Sequence, residues 1–280
     1  MKFVPVSGAL GAEVTDVDLR ALSDDELSEL RAGLHDNEVV FIRGAHLTDE
    51  EHLALGARFG TVNIFPLARV RGATAPVTTT IRDIPGRRIA TDHWHTDVTY
   101  AAQPPDYAFL QAEVVPERGG DTLWASTTSA FDALSPVMQD LLLGLRVEHD
   151  AEGFLAGVRA SGAGGSSTAD LEGAFRSAYP PVAHPLVRVH PATGRRALFL
   201  GGSFMSRIQG MNAEESALLL TFLNRHIEDP RFHCRWRWQA GDLAIWDERS
   251  TNHRSAGDHF PQARALRRIE VGGSTPVGVG

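Results

Sequence analysis

Cysteine is nearly absent: Cys234 is the only one in 280 residues. That excludes an intrachain disulfide framework and any cysteine-rich zinc cluster, and it fits a reducing compartment. Long apolar runs are absent too. No stretch approaches the roughly 18 apolar residues of a membrane span, and residues 1–8 carry no apolar core of a secretion signal. A cytoplasmic protein with no membrane partner is therefore expected. A basic stripe is missing as well. The net charge is −8, with Lys and Arg distributed among the acids, which argues against nucleic acid as a partner. One or two local arginines would still suffice for a small anion. No internal repeat is visible. The hydrophobic content of 42% is ample for a core, and the length admits one large domain or two ordinary ones.

Three helix starts stand out. Ser23-Asp24-Asp25-Glu26, Thr48-Asp49-Glu50-Glu51 and Asn212-Ala213-Glu214-Glu215 each place a capping side chain three residues before a glutamate. Ser135-Pro136 puts proline at a helix N1 position. Strand candidates are short, β-branched runs bounded by turn residues: 38–43, 77–82, 107–115, 184–190 with 197–200 as a hairpin, 235–238, 242–246 and 267–272. The Gly-Ser-rich run 161–167 has no periodicity, so 151–178 reads as a mobile loop, and 161–167 as a candidate lid over a site. Many short strands with about four helices and no regular βαβ alternation favour an antiparallel sandwich or barrel decorated with helices.

The chemistry concentrates at Asp92-His93-Trp94-His95-Thr96-Asp97-Val98-Thr99-Tyr100. If this run is extended, side chains alternate, and His93, His95 and Asp97 share a face. A His and an Asp two apart can grip one cation, but spacing alone does not choose His93 or His95. A facial triad needs a third ligand. His253, after the buried-looking run 241–247, is the best candidate, with His184 and His190 as competitors. His35, His46, His52, His149 and His226 read as structural.

The segment from Trp94 to Tyr100 resembles the iron motif of the taurine dioxygenase (TauD/TfdA) family, which are Fe(II)- and 2-oxoglutarate-dependent oxygenases. Gly119-Gly120-Asp121-Thr122-Leu123-Trp124 is similar to a second family motif. Trp246-Asp247 through His253, followed by Arg264 and Arg268, is similar to a third. The similarity runs over nearly the whole chain, including residues 8–14 and His190-Pro191-Ala192-Thr193-Gly194.

That resemblance implies a single oxygenase domain across 1–280. Its fold would be mostly β with α decoration, a double-stranded β-helix (jelly-roll, cupin-like) core flanked by helices. It implies His95, Asp97 and His253 as Fe(II) ligands, and Thr122 and Arg264 as holders of the far carboxylate of the cosubstrate 2-oxoglutarate. O2 would complete the reaction, with succinate and CO2 released and an unactivated C–H bond oxidised. Relatives are commonly dimers or tetramers, so a homo-oligomer is implied. In the taurine enzyme an Arg, a His and an Asn hold the sulfonate. Arg268 matches the Arg, while Phe65 and Thr91 stand at the His and Asn positions. Phe204 matches an aromatic pocket residue. These departures predict a small anionic substrate (a carboxylate, sulfonate or sulfate ester) bulkier and more apolar than taurine. Natural-product tailoring by desaturation, epoxidation or ring oxidation, for example of a terpenoid acid, uses the same iron site. A zinc hydrolase and a non-catalytic binding sandwich are the readings from other classes. The pair Thr122 and Arg264 speaks against the first, and the complete triad against the second.

Overall fold

The computed structural model describes residues 1–83, 92–161 and 168–279. A hairpin opens the chain, β1 (Lys2–Pro5) and β2 (Ala12–Thr15). Ser23 then caps α1 (Asp24–Asn37): its hydroxyl accepts the Glu26 N–H, and the Glu26 carboxylate accepts the Ser23 N–H. The apolar run after it becomes β3 (Val39–Ile42), buried throughout. Thr48 and Glu51 repeat the box at α2 (Asp49–Phe59). Short α3 (Pro66–Val70) precedes β4 (Thr79–Asp83), β5 (Tyr107–Val114) and β6 (Thr122–Ser126). Next come α4 (Thr127–Asp132), α5 (Pro136–Leu143) with Ser135 as its cap, and β7 (Arg146–His149).

Two further helices follow, α6 (Glu152–Ser161) and α7 (Thr168–Ala178). The chain returns to strands at β8 (Val182–Pro185), β9 (Val187–Val189), β10 (Arg196–Leu198) and β11 (Met205–Ile208). After α8 (Ala213–His226), boxed by Asn212 and Glu215, it ends in β12 (His233–Trp236), β13 (Leu243–Asp247), β14 (Thr251–Ser255) and β15 (Arg264–Val271).

A seven-stranded sheet runs β1-β2-β3-β13-β5-β15-β4, antiparallel except where β2 meets β3. Three smaller sheets are β12-β6-β14, β11-β7-β8 and the β9–β10 hairpin. Between the large sheet and β12-β6-β14, Trp124, Cys234 and Trp236 pack against Phe41, Leu110 and Trp246. The other face of the large sheet is covered by Leu30 and Leu34 of α1 and Leu55 and Phe59 of α2. Burial of such aromatic and aliphatic side chains contributes roughly 1.5–3 kcal/mol each. Cys234 is a free, buried thiol that burial pushes up to about 12.

Three expectations change. Residues 92–100 do not form a strand: His95 makes one bridge, and a turn begins at Asp97. The stretch 151–178, read as a mobile loop, is largely helical. Phe154, Leu155 and Val158 in α6, and Leu171 and Phe175 in α7, put apolar side chains on one face of each helix. The proposed lid residues 162–167 lie outside the described residues. The single strand expected at 184–190 is two strands in different sheets.

Candidate active site

His253 sits in β14, whose neighbour β6 pairs it with Trp124. On its other side the backbone meets His95: His253 N–H donates to the His95 carbonyl at 2.9 Å, and His95 N–H donates back at 3.1 Å. This two-way pairing sets the imidazoles side by side, ring centroids 4.3 Å apart. The chain then turns. Val98 has φ 53°, a strained conformation for a β-branched residue, and the turn brings the Asp97 carboxylate back beside the rings. Its Oδ1 is 3.6 Å from His95 Nε2 and its Oδ2 is 3.8 Å from His253 Nε2. Gly202 permits the close approach of a neighbouring segment, since a Cβ there would lie 2.3 Å from the Trp94 carbonyl oxygen.

The three donors suit a divalent cation. The ligand atoms of His95, Asp97 and His253 all lie within 4.8 Å of one another. His95 Nδ1 is 2.8 Å from the His93 carbonyl, so its proton belongs there and Nε2 presents a lone pair. Burial, then the neighbouring His95, pushes His253 down to about 3, which keeps its ring neutral. Burial alone would raise the Asp97 carboxyl, but Arg268 and then His253 outweigh it and hold it well below the usual carboxylate range. A neutral imidazole at His253 and an ionised carboxylate at Asp97 are protonation states a metal requires. Arg268 Nη1 donates to Asp97 Oδ2 at 2.7 Å, leaving the other oxygen for a cation.

One cavity is lined by His95, His253, Thr122, Ser255, Arg264 and Arg268, with apolar Leu110 and Leu266. β15 explains the arginines: 264, 266 and 268 are separated by even steps along a strand, so they share its inner face. Arg264 Nε donates to the Gly120 carbonyl at 2.8 Å, and its Nη2 donates to Thr122 Oγ1 at 3.1 Å. Trp238 Nε1 also donates to Thr122 Oγ1, at 3.0 Å. Burial pushes Arg264 down to about 10, still cationic at neutral pH. A buried guanidinium beside a hydroxyl complements a carboxylate.

On the other side of Asp97 the surroundings are aromatic. Arg268 lies over the Phe65 ring at 5.4 Å. Phe204 packs edge-on to His95 and to Tyr100, at 6.5 and 5.2 Å between centroids. Phe154 of α6 touches both Phe65 and Tyr100. Thus His95, Asp97, His253, Thr122, Arg264, Arg268, Phe65 and Phe204 converge on one region, while Thr91 lies outside the described residues. His93 is exposed, next to His95. The competitors take other roles: His184 faces the Thr99 and Ala101 carbonyls, and His190 pairs with Asp247.

Two acids escaped the sequence reading. Glu248 is fully buried; its carboxyl accepts the Asp97 N–H at 3.1 Å and the Trp246 indole N–H at 2.7 Å. Burial and then Asp97 push it well above the usual range. Glu270 Oε1 is 3.1 Å from Arg268 Nη2, and burial, opposed by Arg268, raises it to about 7. The even spacing 264, 268, 270 was the available signal for Glu270. For Glu248 it was an acid inside a stretch flanked by two apolar runs.

Comparison with known proteins agrees with this geometry. The family model described as taurine catabolism dioxygenase TauD, TfdA family, matches residues 2–269. An α-ketoglutarate-dependent sulfate ester dioxygenase of Pseudomonas putida is 35% identical over 98% of this chain and 90% of its own. An α-ketoglutarate-dependent 2,4-dichlorophenoxyacetate dioxygenase of Cupriavidus pinatubonensis is 33% identical over 94% of this chain and 95% of its own. The crystal structure of a taurine dioxygenase from Burkholderia xenovorans superposes with a TM-score of 0.81 at 33% identity, covering 99% of this chain and 92% of that one. With a buried His–Asp–His group beside a carboxylate-matched arginine, the chain belongs to the TauD/TfdA family of Fe(II)- and 2-oxoglutarate-dependent dioxygenases.

Proposed function

We propose that this dioxygenase oxidises an unactivated C–H bond of a small organic sulfate ester, sulfonate or carboxylate with an apolar body. In this reading His95, Asp97 and His253 hold Fe(II), Thr122 and Arg264 hold the far carboxylate of 2-oxoglutarate, and Arg268 receives the anionic end of the substrate. The observation that carries it is the placement of both arginines on one face of β15, in the same cavity as the two histidines. The large sheet and β12-β6-β14 are read as the two walls of a double-stranded β-helix, supported by the shared core of Trp124, Trp236 and Trp246 between them.

Bound Fe(II), with 2-oxoglutarate and O2, supplies the oxidation, the cosubstrate leaving as succinate and CO2. The chain's own residues orient and insulate. The His93 carbonyl fixes the His95 tautomer. Arg268 and the Glu248 carboxyl clamp Asp97 from its side chain and its backbone. Leu110, Leu266 and Trp246 keep water from the cavity, which strengthens the charged contacts within it. Phe65, Phe204 and Phe154 offer apolar contact beside Arg268. The Pseudomonas relative is named for sulfate esters and the Cupriavidus relative for 2,4-dichlorophenoxyacetate; both substrates pair one anionic end with an organic body.

Succinate release from 2-oxoglutarate, measured with hexyl sulfate, hexanesulfonate, phenoxyacetate and taurine, tests the reading. Turnover of at least one of the first three above taurine is expected. Taurine as the best substrate, or no stimulation by any of them, overturns it.

A further inference from the structure

A second cavity, of about 340 Å³, shares no lining residue with the first. That volume is within the range of small-ligand sites. Pro104, Pro105, Pro191 and Pro276 give it apolar walls, and Arg188 and Arg249 supply its cations. The segment after β15 closes one side: Val189 N–H donates to the Val277 carbonyl at 2.8 Å, and Gly278 bridges to Arg188.

The two arginines differ in what they already hold. Arg249 is paired with Asp247, donating from Nε to Oδ1 at 2.8 Å and from Nη2 to Oδ2 at 2.6 Å, and its Nη1 lies 3.9 Å from Asp106 Oδ1. Asp106, also on the wall, accepts from Ser274 Oγ at 2.5 Å and the Gly273 N–H at 3.0 Å. Arg188 makes no salt bridge among the described residues, although Asp247, Glu248 and Asp106 lie near enough to favour its charged form. It is 4% exposed, stacks over Phe199 at 4.0 Å and donates from Nη2 to the Glu248 carbonyl. Its Nε has no acceptor among the described residues. A buried guanidinium with unspent donors is costly unless something pairs with it. Burial pushes Arg188 down to about 9, so it remains cationic near neutral pH.

We propose that this cavity binds a small organic anion, a carboxylate or sulfate with an apolar body, whose charged end pairs with Arg188 and whose body lies against the prolines. The site is separate from the reaction centre, so its ligand is not the C–H substrate in its reacting position. Bidentate pairing with a planar guanidinium favours carboxylate and sulfate oxygens, and the proline walls favour a body such as a phenyl ring or short alkyl chain over an inorganic ion.

Calorimetric titration of the full chain with sodium benzoate tests this, using the wild type, Arg188→Gln and Val277→Trp. Val277 is an exposed wall residue, so the tryptophan should fill the cavity without unfolding the chain, and the circular dichroism spectrum checks that. Both variants should lose one binding equivalent present in the wild type, or bind it at least about tenfold more weakly, Arg188→Gln through the lost charge-assisted hydrogen bond and Val277→Trp through the filled cavity. Val277→Trp should keep wild-type succinate release. No saturable benzoate binding in the wild type overturns the proposal. So does the same stoichiometry and affinity in Val277→Trp, which would place all binding at the first cavity.

Discussion

Among the described residues, two groups of two histidines and one aspartate bring their ligand atoms within 4.8 Å of one another: His95, Asp97 and His253, and His35, His190 and Asp247. The residue types are the same, yet only the first can serve a metal. In the second, His190 Nδ1 accepts the N–H groups of Ala192 and Thr193 at 3.3 and 3.2 Å. Its proton is therefore on Nε2, donated to Asp247 Oδ2 at 2.9 Å. Arg249 takes both Asp247 oxygens, and His35 Nε2 faces the Tyr107 hydroxyl at 2.8 Å. The lone pairs of both Asp247 oxygens and of His190 Nδ1 are thereby spent. In the first group the His95 proton is drawn away to Nδ1, and one Asp97 oxygen stays uncommitted to Arg268. Proximity makes a cluster; the direction of each hydrogen bond decides whether it ligates.

The sharpest way to break the contrast is His253→Ala. It should abolish 2-oxoglutarate consumption and Mn(II) binding followed by electron paramagnetic resonance, while unfolding near the wild-type temperature. Asp247→Ala should do the reverse. Removing one partner from a buried charge network costs about 3–5 kcal/mol, read by urea denaturation, with Mn(II) bound per folded chain unchanged. If Asp247→Ala loses metal and keeps its stability, the second group is the metal site.

Arg264→Met should come next. Losing a charged hydrogen-bond partner for a carboxylate costs roughly 1.5–3 kcal/mol, seen as a raised KM for 2-oxoglutarate with the KM for the C–H substrate little changed. The smallest effect belongs to Glu270→Gln. Glu270 is raised to about 7 beside Arg268, facing Asp97, Tyr100 and Tyr179 as well. As pH rises through 7 the carboxyl ionises and competes with a substrate anion for Arg268, so substrate KM should rise. The glutamine should flatten that rise and lower KM at pH 8 about fivefold, a screened interaction of roughly 1 kcal/mol. A KM that falls with pH in the wild type sinks this role for Glu270.

Much of this was readable in the residues. The three capping boxes start the two longest α-helices among those described and a third of 11 residues, where a local hydrogen-bond pair needs no tertiary context. Apolar runs such as 39–42 and 243–246 became central strands because nothing in them can face water. The turn at Asp97 was not readable, because Trp94 to Tyr100 has strand-like composition and the bend rests on Val98 in a conformation its side chain disfavours. The helices α6 and α7 were hidden by the Gly-Ser run between them, which outweighed two short apolar stripes. Glu248 and Glu270 look like any surface acid in the sequence. Their burial depends on partners about 150 residues away for Glu248, through Asp97, but only two away for Glu270, through Arg268.

The helices α6 and α7 have one further consequence. The His–Asp–His group and both cavity arginines are held by sheet strands and the Asp97 turn. Phe154, Phe175 and Tyr179, by contrast, arrive on one length of chain between β7 and β8 and pack against Tyr100. Oxidative machinery and the aromatic wall beside it are thus inherited on different lengths of chain. Evolution can exchange the wall, and with it the shape of the molecule admitted, without touching a single residue that would bind iron.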